Sequence, residues 1–151
     1  MTHPVEIRTD RLFIREFSTD DAQNLLALTS DPDVVRYLEF GPTSRAESMG
    51  LVDFATTSSV SVPRRAYVLA IVDSTTRAFI GSCGVQASDD DSAAAEVYFV
   101  FRRERWGQGL ATELLPALLG FAQGAAGFER VYAVVHPDNV ASIRVLENVG
   151  M

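Results

Sequence analysis

Glu96-Val97-Tyr98-Phe99-Val100-Phe101 leads past Arg102, Arg103 and Arg105 into Trp106-Gly107-Gln108-Gly109-Leu110-Ala111. The first run is apolar and strand-like. The second is a loop of small residues. The next residues, with Leu110, Leu114, Leu115, Leu118 and Leu119 at helical spacing, predict a long helix. The first N–H groups of a helix have no internal partner, and the macrodipole adds partial positive charge there. Glycines at 107 and 109 let a phosphate approach the backbone without meeting a Cβ. A strand, a glycine loop and a helix start in this order predict a site for a diphosphate, and so for a nucleotide-bearing ligand.

Composition narrows the choice. The 151 residues suffice for one domain with a real core. With 47% hydrophobic and 22% charged residues the chain reads as an ordinary globular protein. No apolar run approaches the length of a membrane span, and Met1 to Leu12 lacks the apolar centre of a signal peptide, so a cytoplasmic location is expected. Cys83 is the only cysteine, which excludes an internal disulfide and a Cys-rich metal site. His3 and His136 are the only histidines, so no metal is expected. A net charge of −7 argues against nucleic acid as a partner. All 13 basic residues are Arg, which excludes a P-loop and any Schiff-base lysine. Arg102, Arg103 and Arg105 read equally well as an anion-attracting cluster or as a solvated turn.

Along the chain, Leu12 to Phe17 reads as a first strand and Ser18 or Thr19 as the cap of a helix carrying Ala22, Leu25, Leu26 and Leu28. A short helix is expected through Val34, Val35 and Leu38, another from Arg45 to Ala55, and a loop from Ser58 to Pro63. Tyr67–Val72 and Phe79–Val85 predict an antiparallel hairpin around Asp73–Thr76. Ala94–Phe101 is the next strand. Pro116 is expected to kink the long helix, at about 3 kcal/mol if unrelieved. Asp89-Asp90-Asp91-Ser92 reads as a solvated connection. Val131–Val135 predicts a strand, and Pro137-Asp138-Asn139 a turn into a last helix with Ile143, Val145, Leu146 and Val149 as its apolar positions. A dinucleotide fold would need a glycine where Thr112 stands, and its loop would follow the first strand of the chain.

Four motifs in register then resemble the GNAT superfamily of acyl-coenzyme A-dependent N-acetyltransferases, and within it the ribosomal-protein N-terminal (alanine/serine) acetyltransferase branch. They are Thr9-Asp10-Arg11-Leu12 with Arg15 and Asp21-Ala22; Ile80-Gly81 through Gly84; Glu96 through Ala111 with Thr112-Glu113; and Pro137-Asp138-Asn139 with Ser142, Leu146-Glu147 and Gly150. The resemblance covers nearly the whole chain. It implies a single α+β domain over residues 1–151, a three-layer arrangement whose mixed, mostly antiparallel sheet is flanked by helices and contains a splayed parallel pair of strands. Family members continue with two further strands that this sequence lacks, which would leave an unpaired sheet edge. Trp106 stands where the superfamily usually has Gln or Arg. Leu146 stands where many members carry a Tyr general acid.

The resemblance also implies roles. Acetyl-coenzyme A would be the co-substrate, its pantetheine arm along Phe99, Val100 and Phe101 and near Asn139, its pyrophosphate on the amides of Trp106, Gly107, Gln108, Gly109, Leu110, Ala111 and Thr112. An acceptor primary amine, on a protein N-terminus or a small molecule, would attack the thioester directly. An α-amine is already about 10% neutral at pH 7 and a lysine amine only about 0.04%, so an N-terminal acceptor needs only a weak base. Glu96 is the candidate base, with an outward-facing strand residue as the equal alternative. Ser142 is the candidate hydrogen-bond donor to the leaving thiolate, or simply a small residue in a helical turn. Asn139 also suits a helix N-cap. Tyr37, Leu38 and Phe40 would line the acceptor pocket or fill the core. Cys83 and His136 read as structural. A second copy of the chain, in a homodimer, is a further candidate partner. The reading from another class is a non-catalytic acyl-coenzyme A-binding module.

Overall fold

The computed structural model describes residues 4–151. Six strands form one sheet in sequence order: β1 (Glu6–Arg8), β2 (Leu12–Glu16), β3 (Ala66–Asp73), β4 (Phe79–Ala87), β5 (Ala94–Phe101) and β6 (Arg130–Tyr132). All neighbours are antiparallel except β5 and β6. The helices are α1 (Ala22–Thr29), α2 (Arg45–Ser59), α3 (Leu110–Gln123) and α4 (Val140–Asn148). This is the mixed, three-layer fold expected from the sequence.

The layers follow from burial on both sheet faces. β3 and β4 are buried almost along their whole length, as strands covered on both sides must be. On one face Leu110, Leu114, Leu118 and Ala122 of α3 pack over Leu12, Ile14, Leu69, Ile71, Cys83 and Val85. On the other, Leu25 and Leu28 of α1 and Val52 and Ala55 of α2 pack with Phe17, Ala70 and Phe79. The glycines of the Ile80-Gly81 motif serve this packing: a Cβ at Gly84 would meet the Tyr67 carbonyl and the ring of Tyr98, its cross-strand partner.

Several sequence expectations need correction. The strand at Leu12 is the second, because Glu6–Arg8 pairs with it as an edge strand. No helix spans Val34 to Leu38. These residues form turns in which the Asp31 carbonyl accepts from the amides of Val34 and Val35. Helix α2 continues to Ser59, so Ser58 and Ser59 are helical rather than loop; Ser59 Oγ donates back to the Thr56 carbonyl. Helix α3 runs unbroken through Pro116, which lies on its exposed side, where water can reach the Thr112 carbonyl that the missing N–H leaves free. The predicted strand Val131–Val135 keeps only its first two residues in β6, since its partner diverges after Tyr132.

The first segment is locked by a buried carboxylate. Asp21 accepts from Arg15 Nη1 and Nη2 at 2.8 and 3.0 Å, from the Ser18 amide at 2.9 Å and from Asn24 at 3.2 Å. Burial pushes the Asp21 carboxyl up, but the Arg15 bond, the Ser18 amide and Asn24 outweigh it and hold it below its ordinary 3.8. A depressed carboxylate contributes stability above its unfolded pKa and loses it as pH falls through the folded value. Asp21→Asn is therefore expected to lower unfolding free energy by about 3 kcal/mol at pH 7. In urea titrations the deficit should shrink as pH falls from 3.8, where the unfolded chain takes up its proton, through the lower folded pKa.

Candidate functional site

β5 and β6 pair for only three residues, Ala94↔Arg130, Ala95↔Val131 and Glu96↔Tyr132. From Val97 onward, the edge of β5 that faces away from β4 has no strand partner among the described residues. The gap widens into a cleft of about 440 Å³ closed by the starts of α3 and α4 and by the segment around Val34, Tyr37 and Leu38. Phe99, Val100, Phe101, Trp106, Gly107, Gly109, Leu110, Ala111, Thr112, Asn139 and Ser142 all line it. Of the catalytic and coenzyme-binding candidates read from the sequence, Glu96 and Gln108 do not.

The glycine loop presents main chain to this cleft. Residues 103–105 form a single 3-10 turn, closed by Arg105 N–H to the Arg102 carbonyl and Trp106 N–H to the Arg103 carbonyl, 3.1 Å. The Trp106 amide is thus already used, which corrects the expectation that it joins the anion-binding set. The Trp106 indole Nε1 donates to the Phe101 carbonyl at 2.9 Å and ties the loop to the end of β5. Gly107 and Gly109 both adopt left-handed backbone, φ +75° and +76°, which strains any side-chain-bearing residue. Gly109 is the N-cap of α3 and brings no side chain to cap it; the first helical bond is Glu113 N–H to the Gly109 carbonyl. The six amides from Gly107 to Thr112 donate to nothing within the described protein. Gln108 is turned the other way: its carbonyl accepts from Arg11 Nη1 at 2.9 Å and its side chain donates to the Glu104 carbonyl.

The three arginines before the loop are each paired with a carboxylate. Arg102 lies 3.7 Å from Glu104, Arg103 2.8 Å from Asp33 and Arg105 2.8 Å from Asp73. The Thr76 amide, the Arg105 guanidinium and the Thr75 amide draw the Asp73 carboxyl down to about 2, so the last pair stays charged at all ordinary pH.

On the opposite wall Asn139 caps α4, its Oδ1 accepting from the Ser142 amide at 3.2 Å. Its Nδ2 makes no hydrogen bond among the described residues, so the cap leaves that donor for the cleft. Glu96 sits at the apex of the fork, beside the cleft, partly buried on the α1/α2 face of the sheet. Burial raises its carboxyl above the ordinary 4.5, and the negative charge of Glu39 adds to the rise. Tyr37 and Leu38 reach the cleft, whereas Phe40 is 45% exposed and does not. The Tyr37 ring packs on His136, centroids 5.3 Å apart, and His136 Nδ1 accepts from the Asp138 amide, a turn role. Cys83 is fully buried, and burial pushes its thiol well up. Leu146 is buried, as an apolar helix position should be. Val34, Arg36 and Asp33 also line the cleft. Val34 was read only as an apolar position of a helix, and Asp33 and Arg36 went unread, because no periodicity marks site residues in an irregular segment.

Among the described residues no group of three or more His, Cys, Asp or Glu could hold a metal ion, and no helix is long and apolar enough to cross a membrane. The N-acetyltransferase p20 of Bacillus licheniformis, itself uncharacterised, is 28% identical over 143 residues, covering 94% of this chain and 79% of the relative. RimL, a ribosomal-protein alpha-N acetyltransferase solved in complex with coenzyme A, superposes with TM-score 0.83 at 18% identity, covering 97% of this chain and 83% of that one. A spermidine N-acetyltransferase from Vibrio cholerae, solved with coenzyme A and spermine, gives TM-score 0.81 at 17% identity over 94% of this chain and 81% of that one. Residues 11–151 match the acetyltransferase (GNAT) domain, and with its forked sheet and uncapped helix the chain belongs to that family of acetyltransferases.

Proposed function

We propose that this chain transfers the acetyl group of acetyl-coenzyme A to a primary amine by direct attack. One observation carries the reading: in a run of six amides without protein partners, Gly107 to Thr112, every residue but Gln108 lines a cleft at the point where β5 loses its strand neighbour. Gly107 to Thr112 donate to the diphosphate, helped by the dipole of α3. The free edge of Phe99, Val100 and Phe101 takes the pantetheine amides as a missing strand would. Asn139 Nδ2 donates to the same arm. These contacts aim the thioester at the fork between β5 and β6.

The acceptor nitrogen bonds to the acetyl carbon and the carbon–sulfur bond breaks. A β5 amide near Val100 or Phe101 stabilises the developing oxyanion. Ser142 hydrogen-bonds the departing thiolate. Glu96 takes the ammonium proton through water, since it stands beside the cleft rather than in it; its raised carboxyl brings it closer to the working pH of a base. The two coenzyme-bound neighbours act on a protein N-terminus and on a polyamine, so the fold accommodates either acceptor.

Calorimetry with acetyl-coenzyme A, followed by thiol release with an N-terminal peptide and with spermidine, tests the proposal. Binding with thiol release is expected; binding without release from any amine would leave a coenzyme-binding module. Gly109→Val forces a side chain onto a left-handed φ and sets its Cβ 3.7 Å from Arg11 Nη2, which distorts the loop that presents the donor amides, and the acetyl-coenzyme A Kd should rise about tenfold or more. With an α-amine acceptor, log kcat/KM should rise with pH at a slope of about two below the Glu96 pKa and about one above it, because both Glu96 and the amine must be deprotonated. Glu96→Gln should leave slope one throughout and lower kcat/KM by about 10²-fold. The raised Glu96 carboxyl contributes stability at low pH that is lost as pH rises through its folded value, so this variant should melt no lower than wild type at pH 8.

A further inference from the structure

Arg11 lies about a hundred residues before the glycine loop, in the turn between β1 and β2, yet it is bonded to the loop's centre. Its Nη1 donates to the Gln108 carbonyl at 2.9 Å and its Nε to Glu113 Oε1 at 2.7 Å. The Arg11 amide and the Thr9 hydroxyl both donate to Glu113 Oε2, at 2.9 and 2.5 Å. Burial pushes the Glu113 carboxyl up, but Thr9, the Arg11 amide and the Arg11 guanidinium outweigh it and keep it low. One planar guanidinium therefore bridges the first turn of α3 and the carbonyl between two left-handed glycines.

That carbonyl is the one most in need of restraint. Gly109 has no Cβ and sits at a left-handed φ, so on its side little in the chain itself opposes rotation of the 108–109 peptide. In a planar trans peptide the C=O and N–H point in opposite directions. Holding the Gln108 oxygen toward Arg11 aims the Gly109 N–H away from it. Arg11 and Gln108 line a separate hollow of about 250 Å³ with Asp73, Thr75 and Thr76, on the far side of the loop, whereas Gly109 lines the main cleft. A flipped peptide would put a carbonyl oxygen where a diphosphate oxygen docks.

We infer that Arg11 is a positioning residue for the coenzyme's diphosphate, acting through the Gln108–Gly109 peptide and held in place by Glu113; the inference rests on the coenzyme reading above. Glu113 neutralises the guanidinium, so its fork geometry matters rather than its charge. Lysine keeps the charge but cannot reach both acceptors in the fixed geometry of the fork.

The test compares coenzyme A, which carries the diphosphate, with pantetheine, which lacks it, by calorimetry on the wild-type chain, Arg11→Met and Arg11→Lys. Absence of coenzyme A binding by wild type overturns the coenzyme reading itself, before any variant is judged. Given wild-type binding, both variants should lower the ratio of coenzyme A affinity to pantetheine affinity about tenfold, equivalent to about 1.4 kcal/mol. In turnover the acetyl-coenzyme A KM should rise with kcat within about twofold. If Arg11→Met fails to fold, Arg11→Lys, which retains the ion pair with Glu113, decides alone. A wild-type affinity ratio in Arg11→Lys, or an equal loss for both ligands, overturns the inference.

Discussion

Main-chain donors without acceptors are the constraint around which this molecule is organised. Backbone N–H groups removed from water without a partner are costly, and folded proteins rarely leave a run of them together. Gly107 to Thr112 form a run of unpaired donors, and all but Gln108 line the cleft. The surroundings keep that run open. Gly109 brings no capping side chain, the Trp106 indole ties the loop to the end of β5, and Arg11 with Glu113 fixes the loop from behind. The divergence of β6 from β5 supplies the space. If β6 had stayed paired to the end of β5, the cleft would be filled and the amides would face a strand.

Much of this was legible in the sequence, and particular residues show why. The bounds of β5 coincide with the apolar run Ala94–Phe101, because no glycine or proline interrupts it and charged residues follow. The β3–β4 hairpin was legible in two β-rich runs around Asp73–Thr76, whose Asp73 side chain accepts from the Thr75 and Thr76 amides and sets the turn. Asn139 was readable as a helix cap from Pro137-Asp138-Asn139, and it is one. The small residues of the loop announced close approach to the backbone.

The remainder depended on partners that a linear reading cannot see. Val131–Val135 has the composition of a full strand, but its length is set by where β5 turns away. Val34, Val35 and Leu38 have the spacing of a short helix, yet Val34 and Val35 are buried against the α1/α2 side of the core from irregular backbone. The Ser- and Thr-rich end of α2 looks like a loop, yet its hydroxyls bond back to helical carbonyls. Within the site, the open amides were recognisable as a group, but that Trp106 closes a turn with Arg103 depends on local geometry. The role argued for Arg11 needs a contact spanning 97 residues.

The pairing of Arg102, Arg103 and Arg105 with their own carboxylates has a consequence for how an anion is recognised here. With those cations neutralised, the segment before the glycine loop adds little long-range positive field, Arg36 is the cleft-lining guanidinium without a carboxylate partner among the described residues, and the chain as a whole is acidic. A polyanion approaching it would not be steered in from a distance as it is toward a basic patch. Capture would depend on dipoles acting at contact distance, well within a Debye length. Ionic strength would then have little hold on its affinity, and selection would come from the shape of a diphosphate rather than from the amount of charge it carries.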